Sequence, residues 1–147
     1  MPLLDYTTAV PAQRTIEQIQ RLLVKHGARA IMTEYDGDRE ISGLAFKVNS
    51  PHGELPIRLP IKVDAVEAVL YRDWDQRKME RKYTKEGHAR RVAWRIMKDW
   101  LEVQMAMIET EMVTMAEVFL AYVQVGEGKT MYKALTDRHF LLTEGGG

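Results

Sequence analysis

An α+β fold, with an N-terminal helix, a three-stranded antiparallel meander and a helical C-terminal half, is expected from three patterns. Ile16, Ile19, Leu22 and Leu23 recur at helical spacing early in the chain. Residues 55–62 then alternate strictly, with Leu55, Ile57, Leu59 and Ile61 on one side and Pro56, Arg58, Pro60 and Lys62 on the other. From Val92 onward apolar residues return to helical spacing. At 147 residues the chain suits one domain spanning 1–147, long enough to enclose a hydrophobic core.

In chain order, residues 1–13 read as an irregular arm containing Pro2 and Pro11. Thr15 and Gln18 match a capping box and Gly27 suits a left-handed stop, which predicts a helix over 15–26. Ala30–Tyr35 is expected to be a strand, with Asp36-Gly37-Asp38 as its turn. Ile41–Val48 continues it, placing Leu44, Phe46 and Val48 on one face, and residues 49–53 form a second turn. In the third strand the N–H groups of residues 56, 58 and 60 point the same way. Pro56 and Pro60 therefore strip donors from one side only, which marks an edge strand with its outer edge blocked.

Asp64 and Glu67 match a second cap, opening a short helix through about Leu70. A long helix is expected from Lys85 or His88 to Ile108 or beyond, and a break at 111–113 precedes the Thr114/Glu117 capping box. Met115–Val123 forms the next helix. A Gly126-Glu127-Gly128 turn follows, then a short helix over Met131–Leu135 capped by Thr130. Residues 143–147, ending in three glycines, read as a disordered tail. Val92–Ile108 is apolar on more than one face, so it is either central to the core or shared with another subunit; self-association is the expectation.

Composition limits the function classes. The apolar runs are far shorter than the ~20 residues a membrane helix needs. The N-terminal segment lacks the charged and apolar regions of a secretory signal, and the absence of cysteine fits the cytoplasm and rules out thiolate chemistry. Gly126–Thr130 resembles the end of a phosphate-binding loop, but the required first glycine is replaced by Val123. His26, His52, His88 and His139 are scattered and form no metal-binding spacing. There is no Gly-x-Ser-x-Gly elbow; Ser42 and Ser50 belong to the hairpins. No catalytic residue, metal ligand or cofactor is predicted, and the chain is not expected to be an enzyme.

What stands out is charge polarity. Positive and negative side chains balance at 21 each, yet Arg72–Lys98 holds ten Lys/Arg against four Asp/Glu. Local net charge runs −1 over residues 1–71, +6 over 72–98 and −5 over 99–147. Arg91, Arg95 and Lys98 share one helical stripe, with Asp99 and Glu102 as available partners. Upstream, Arg77, Lys78, Arg81, Lys82 and Lys85 surround Trp74 and Tyr83, whose rings suit stacking on unpaired bases. The plainer alternative is a solvated helix face with its aromatic rings buried.

Arg14–Ile19, Gly27-Ala28, Pro51-His52-Gly53, Val92–Arg95 and Phe119-Leu120 together resemble a group of small phage and prophage proteins of Gram-positive hosts, over residues 11–135. That group has no established activity, so no residue roles are carried over. The resemblance implies a phage-derived protein acting in the bacterial host cytoplasm, in replication or recombination. At the level of topology alone, strands placed before a long helix are similar to single-strand-annealing recombinases. The leading expectation is an oligomeric accessory protein that binds single-stranded nucleic acid through Trp74, Tyr83 and the cations of 77–98. One alternative is a module that binds a host or phage protein, including an inhibitor of host defence. Another is an oligomer that sequesters an anionic small molecule.

Overall fold

A computed structural model describes residues 1–126 and 128–141. Its order is α1 (Ala12–Lys25), β1 (Ala28–Tyr35), β2 (Ile41–Ser50), β3 (Gly53–Arg58), α2 (Val63–Asp75), α3 (His88–Glu109), α4 (Met115–Phe119), β4 (Gln124–Gly126), β5 (Lys129–Thr130) and α5 (Met131–Asp137). The fold is α+β as expected. The tail at 143–147 lies outside the described residues, as does Glu127 of the predicted glycine turn.

Several boundaries differ for physical reasons. α1 begins three residues before Thr15, with Pro11 at the N-cap, because Ala12, Gln13 and Arg14 extend a helix readily. Thr15 is fully buried and its hydroxyl caps nothing. Lys62, not Asp64, is the N-cap of α2; Asp64 lies in the first turn, where its charge favours the helix dipole. α2 also runs past Leu70 to Asp75, because Leu70 and Asp73 both face inward on consecutive turns. α4 stops at Phe119, short of the Val123 end that the sequence predicts, and tightens into a 3-10 turn at Leu120–Tyr122. The Thr114/Glu117 capping box forms with both reciprocal bonds, at 3.1 and 3.0 Å.

The meander has strand order β1-β2-β3, all antiparallel. Asp36 organises the first turn by accepting the N–H groups of Asp38 and Glu40 at 2.9 and 3.1 Å. Arg90 of α3 clamps the same turn, donating to Asp36 Oδ2 and to the Ile41 carbonyl, each at 2.8 Å. The Leu59 N–H donates to the Leu44 carbonyl at 3.0 Å. Backbone alternation then turns the nitrogens of Pro56 and Pro60 outward, so β3 is an edge strand blocked as its prolines require. Val123 forms a bridge with Ile57 on that side. On the outer face of the sheet, Glu34 of β1 and Arg58 of β3 form a bidentate pair across Gly43. A Cβ at Gly43 would lie 3.3 Å from the Arg58 guanidinium, so glycine leaves the pair its room.

α3 has two inward faces. Trp94, Met97, Leu101 and Met105 join α1, the sheet, Phe119 and Val123 in the main core. Ala89 and Val92, with Ile96 beside them, meet Leu70 of α2 and Leu3 and Tyr6 of the arm in a second cluster. The arm and α2 thus cover one apolar face of this helix and the main core another, while Val103 stays exposed.

The arm is irregular yet anchored. The Leu3 N–H donates to the buried Asp73 carboxylate at 3.1 Å. The Tyr6 carbonyl accepts from His88 Nε2, while His88 Nδ1 accepts from Arg91 at 3.0 Å, which fixes the imidazole as the Nε2–H tautomer. Asp5 sits against α3 beside Asp99, Arg95 and Lys98. Burial first, then a shared hydrogen bond with Asp99 and its charge, hold the Asp5 carboxyl at about 6 against an ordinary 3.8; Arg95 and Lys98 oppose this. Because the folded value is raised, the stabilisation is complete below the ordinary value and is lost as pH rises through about 6. Asp5 should therefore contribute about 1–2 kcal/mol less stability at neutral than at acidic pH. This runs against the opposite trend of Glu34, Asp36 and Asp137, whose cationic partners hold their carboxyls low, and Asp5→Asn should remove the Asp5 contribution alone. Urea melts of both proteins at several pH values check this; parallel pH profiles would sink it.

Candidate functional site

The basic segment divides into two structurally different parts. Its upstream part leaves α2 through a Schellman turn. The Arg77 N–H reaches the Trp74 carbonyl and the Lys78 N–H reaches the Asp73 carbonyl, both at 2.8 Å. Arg77 adopts φ 58° there, a conformation glycine fills at lower cost. The chain then enters a 3-10 turn at Arg81–Thr84. Thr84 Oγ1 closes that turn by donating to the Arg81 carbonyl at 2.6 Å.

Between the last turns of α2 and this 3-10 turn lies an open groove of about 530 Å³, lined by Tyr71, Trp74, Arg81, Lys82, Thr84 and Lys85. Tyr71 and Trp74 are one helical turn apart and meet edge to face, with ring centroids 6.2 Å apart. They remain 48% and 36% exposed, so ring surface is open to a ligand. The Arg81 guanidinium lies 5.8 Å from the Trp74 ring centroid, an arrangement that attracts a cation to a π-face. Lys82 is 3.6 Å from Glu80 and 5.1 Å from the Tyr83 ring. The charge of Glu80 foremost, and then Tyr83, raise the Lys82 pKa and keep its ammonium charged. Arg77 and Lys78 are exposed on the adjoining turn.

The remaining predicted residues sit elsewhere. Tyr83 packs edge to face on Tyr6 at 5.1 Å and lies 5.4 Å from the His88 ring, so it braces the arm on the far side of the 3-10 turn. Arg91 bonds to His88, and Arg95 Nη1 donates to Gln18 Oε1 of α1 at 2.9 Å. Lys98 pairs with Glu102, the partner its spacing indicated. Of the ten predicted positions the structure gathers Trp74, Arg81, Lys82 and Lys85 into one groove, keeps Arg77 and Lys78 beside it, and gives Tyr83, Arg91, Arg95 and Lys98 internal contacts.

Sequence reasoning missed Tyr71 and Thr84. Tyr71 carried a usable signal, since i and i+3 aromatic residues share a helical face once α2 is extended to Asp75. Thr84 carried none. Among the described residues no group of three or more His, Asp or Glu gathers as metal ligands. No described helix is long and apolar enough to cross a membrane. Neither a known protein family, nor a curated protein, nor a solved structure matches this chain.

Proposed function

We propose that the protein is a phage-type accessory protein of replication or recombination, acting in the bacterial cytoplasm, that binds single-stranded nucleic acid through the Trp74 groove. One observation carries this reading: two partly exposed aromatic residues, Tyr71 and Trp74, share an open groove with Arg81, Lys82 and Lys85. Stacking on Trp74 and Tyr71 favours unpaired bases, whose faces are free, over a closed duplex. Phosphate contacts from Arg81, Lys82 and Lys85 carry no base information, so binding is expected to be tolerant of sequence.

Anisotropy titration with a short labelled single strand at low salt tests the proposal. Trp74→Ala should weaken binding about tenfold, a loss typical of one stacked base. Replacing Arg81, Lys82 and Lys85 together should make the plot of log affinity against log salt shallower by about 2, since a single strand releases ~0.7 counterions per neutralised phosphate. Arg95→Ala should leave affinity unchanged because its guanidinium is held by Gln18. No detectable binding at low salt ends this reading.

The three cations beside two partly exposed rings also suit a second reading, binding of a small anionic molecule. A mononucleotide that competes as strongly as the oligonucleotide would select it.

A further inference from the structure

The two edges of the sheet are treated differently. On β3, Pro56 and Pro60 withdraw the outward donors and Val123 bridges the strand at Ile57. β1 has no proline, and among the described residues its outer edge pairs with no strand. None of its eight residues is buried, whereas six of ten are buried in β2. An edge of this length with free donors is a template for strand addition.

The orientation of those donors follows from the ladder. Leu44 points its backbone toward β3, so Ala45 and Lys47 point theirs toward β1. Their partners Met32 and Ala30 are therefore bonded inward, and Ile31 and Thr33 present N–H and C=O groups to the open edge. Charge is distributed unequally along the same strand. Its entry carries Lys25 and Arg29, both exposed, and its exit loop carries the exposed Asp38 and Glu40 against Arg39, while Asp36 is already paired with Arg90. An antiparallel copy lays the basic entry of one chain beside the acidic loop of the other, whereas a parallel copy sets like charges together.

We propose that the protein forms a two-fold dimer by antiparallel pairing of β1 with β1 of a second copy, giving a continuous six-stranded sheet. With the axis at Met32, Ile31 faces the copy's Thr33 across the ladder. Met32, 57% exposed, meets the copy's Met32 on the outer face. Assembly stops at two because the other edge of each sheet is blocked. The interface lies on different elements from the Trp74 groove and does not depend on what that groove binds.

Sedimentation of the full chain over a wide concentration range should show a monomer–dimer equilibrium. Thr33→Pro removes an outward donor without touching the β1–β2 ladder, and should weaken the dimer roughly tenfold or more while circular dichroism of the monomer is unchanged. Met32→Cys offers a measurement that does not depend on how that variant folds. Directly opposed residues of this non-hydrogen-bonded type lie about 4.5 Å apart at Cα, within disulfide reach. It should oxidise to a covalent dimer faster than Val103→Cys, an exposed control on α3. A monomer at every concentration, or equal crosslinking by the two cysteine variants, overturns the proposal.

Discussion

Trp94→Ala is expected to cost about 3–5 kcal/mol of folding stability, the range for deleting a large buried aromatic ring. The side chain is fully buried on the face of α3 that joins α1, the sheet and Phe119. Alanine there leaves a void that rigid neighbours on three sides close only partly. Net stabilities of small domains are about 5–15 kcal/mol, so this one change removes a large share. Trp94→Phe separates volume from polarity. Trp94 Nε1 is buried and meets no acceptor among the described residues, so phenylalanine removes an unpaired donor together with part of the ring. Its expected cost is about 1–2 kcal/mol, because the lost volume outweighs the recovered desolvation. Urea denaturation followed by circular dichroism checks both variants. Equal losses would mean that the indole N–H is satisfied.

The elements that were legible in the sequence are those whose signals are local. Alternation over 55–61 identified β3, and the prolines placed it at an edge, because backbone alternation ties each nitrogen to one side. The Thr114/Glu117 box was readable for the same reason, since its two bonds close within four residues. Thr15 and Gln18 show the limit of such patterns. They have the right spacing for a cap, but the helix had already begun at Ala12 and tertiary packing turned Thr15 inward. The end of α2 was missed because Tyr71–Asp75 looks like a polar continuation of the basic segment. Only the burial of Asp73 against the arm explains why it stays helical.

The candidate site was legible in the same uneven way. The density of cations around Trp74 pointed to the groove, and Lys98 with Glu102 was visible as an i, i+4 pair. Arg95 with Gln18, His88 with Tyr6, and Tyr83 with Tyr6 were not visible, since each joins residues far apart in sequence through packing of α3. Apolar residues around α3 were likewise open to two accounts. The arm and α2 cover a face that, from the pattern alone, a second subunit would have covered equally well.

Removing the Asp73 carboxylate should have the second-largest effect, about 2–4 kcal/mol, since a buried charge-assisted bond and the packing it secures are lost together. Asp73 is fully buried; Oδ2 accepts the Leu3 N–H and Oδ1 lies 3.4 Å from Arg72. In Asp73→Ala the Leu3 amide regains water by leaving, and Leu3 and Tyr6 leave the Leu70–Val92 cluster with it. Tyr83 then loses its edge-to-face partner, and the 3-10 turn that carries Arg81 and Lys82 loses its backing. Asp73→Asn keeps an acceptor of the same shape, and its expected cost is smaller, about 1–2 kcal/mol. Urea melts give the stability, and amide exchange at Leu3 and Lys82–Thr84 gives the coupling. Exchange should quicken at both places in Asp73→Ala, and oligonucleotide affinity should fall although Asp73 does not line the groove. Faster exchange at Leu3 alone would show that the 3-10 turn stands without the arm, leaving Tyr83–His88 contact and the Schellman turn at Arg77 to hold the groove open.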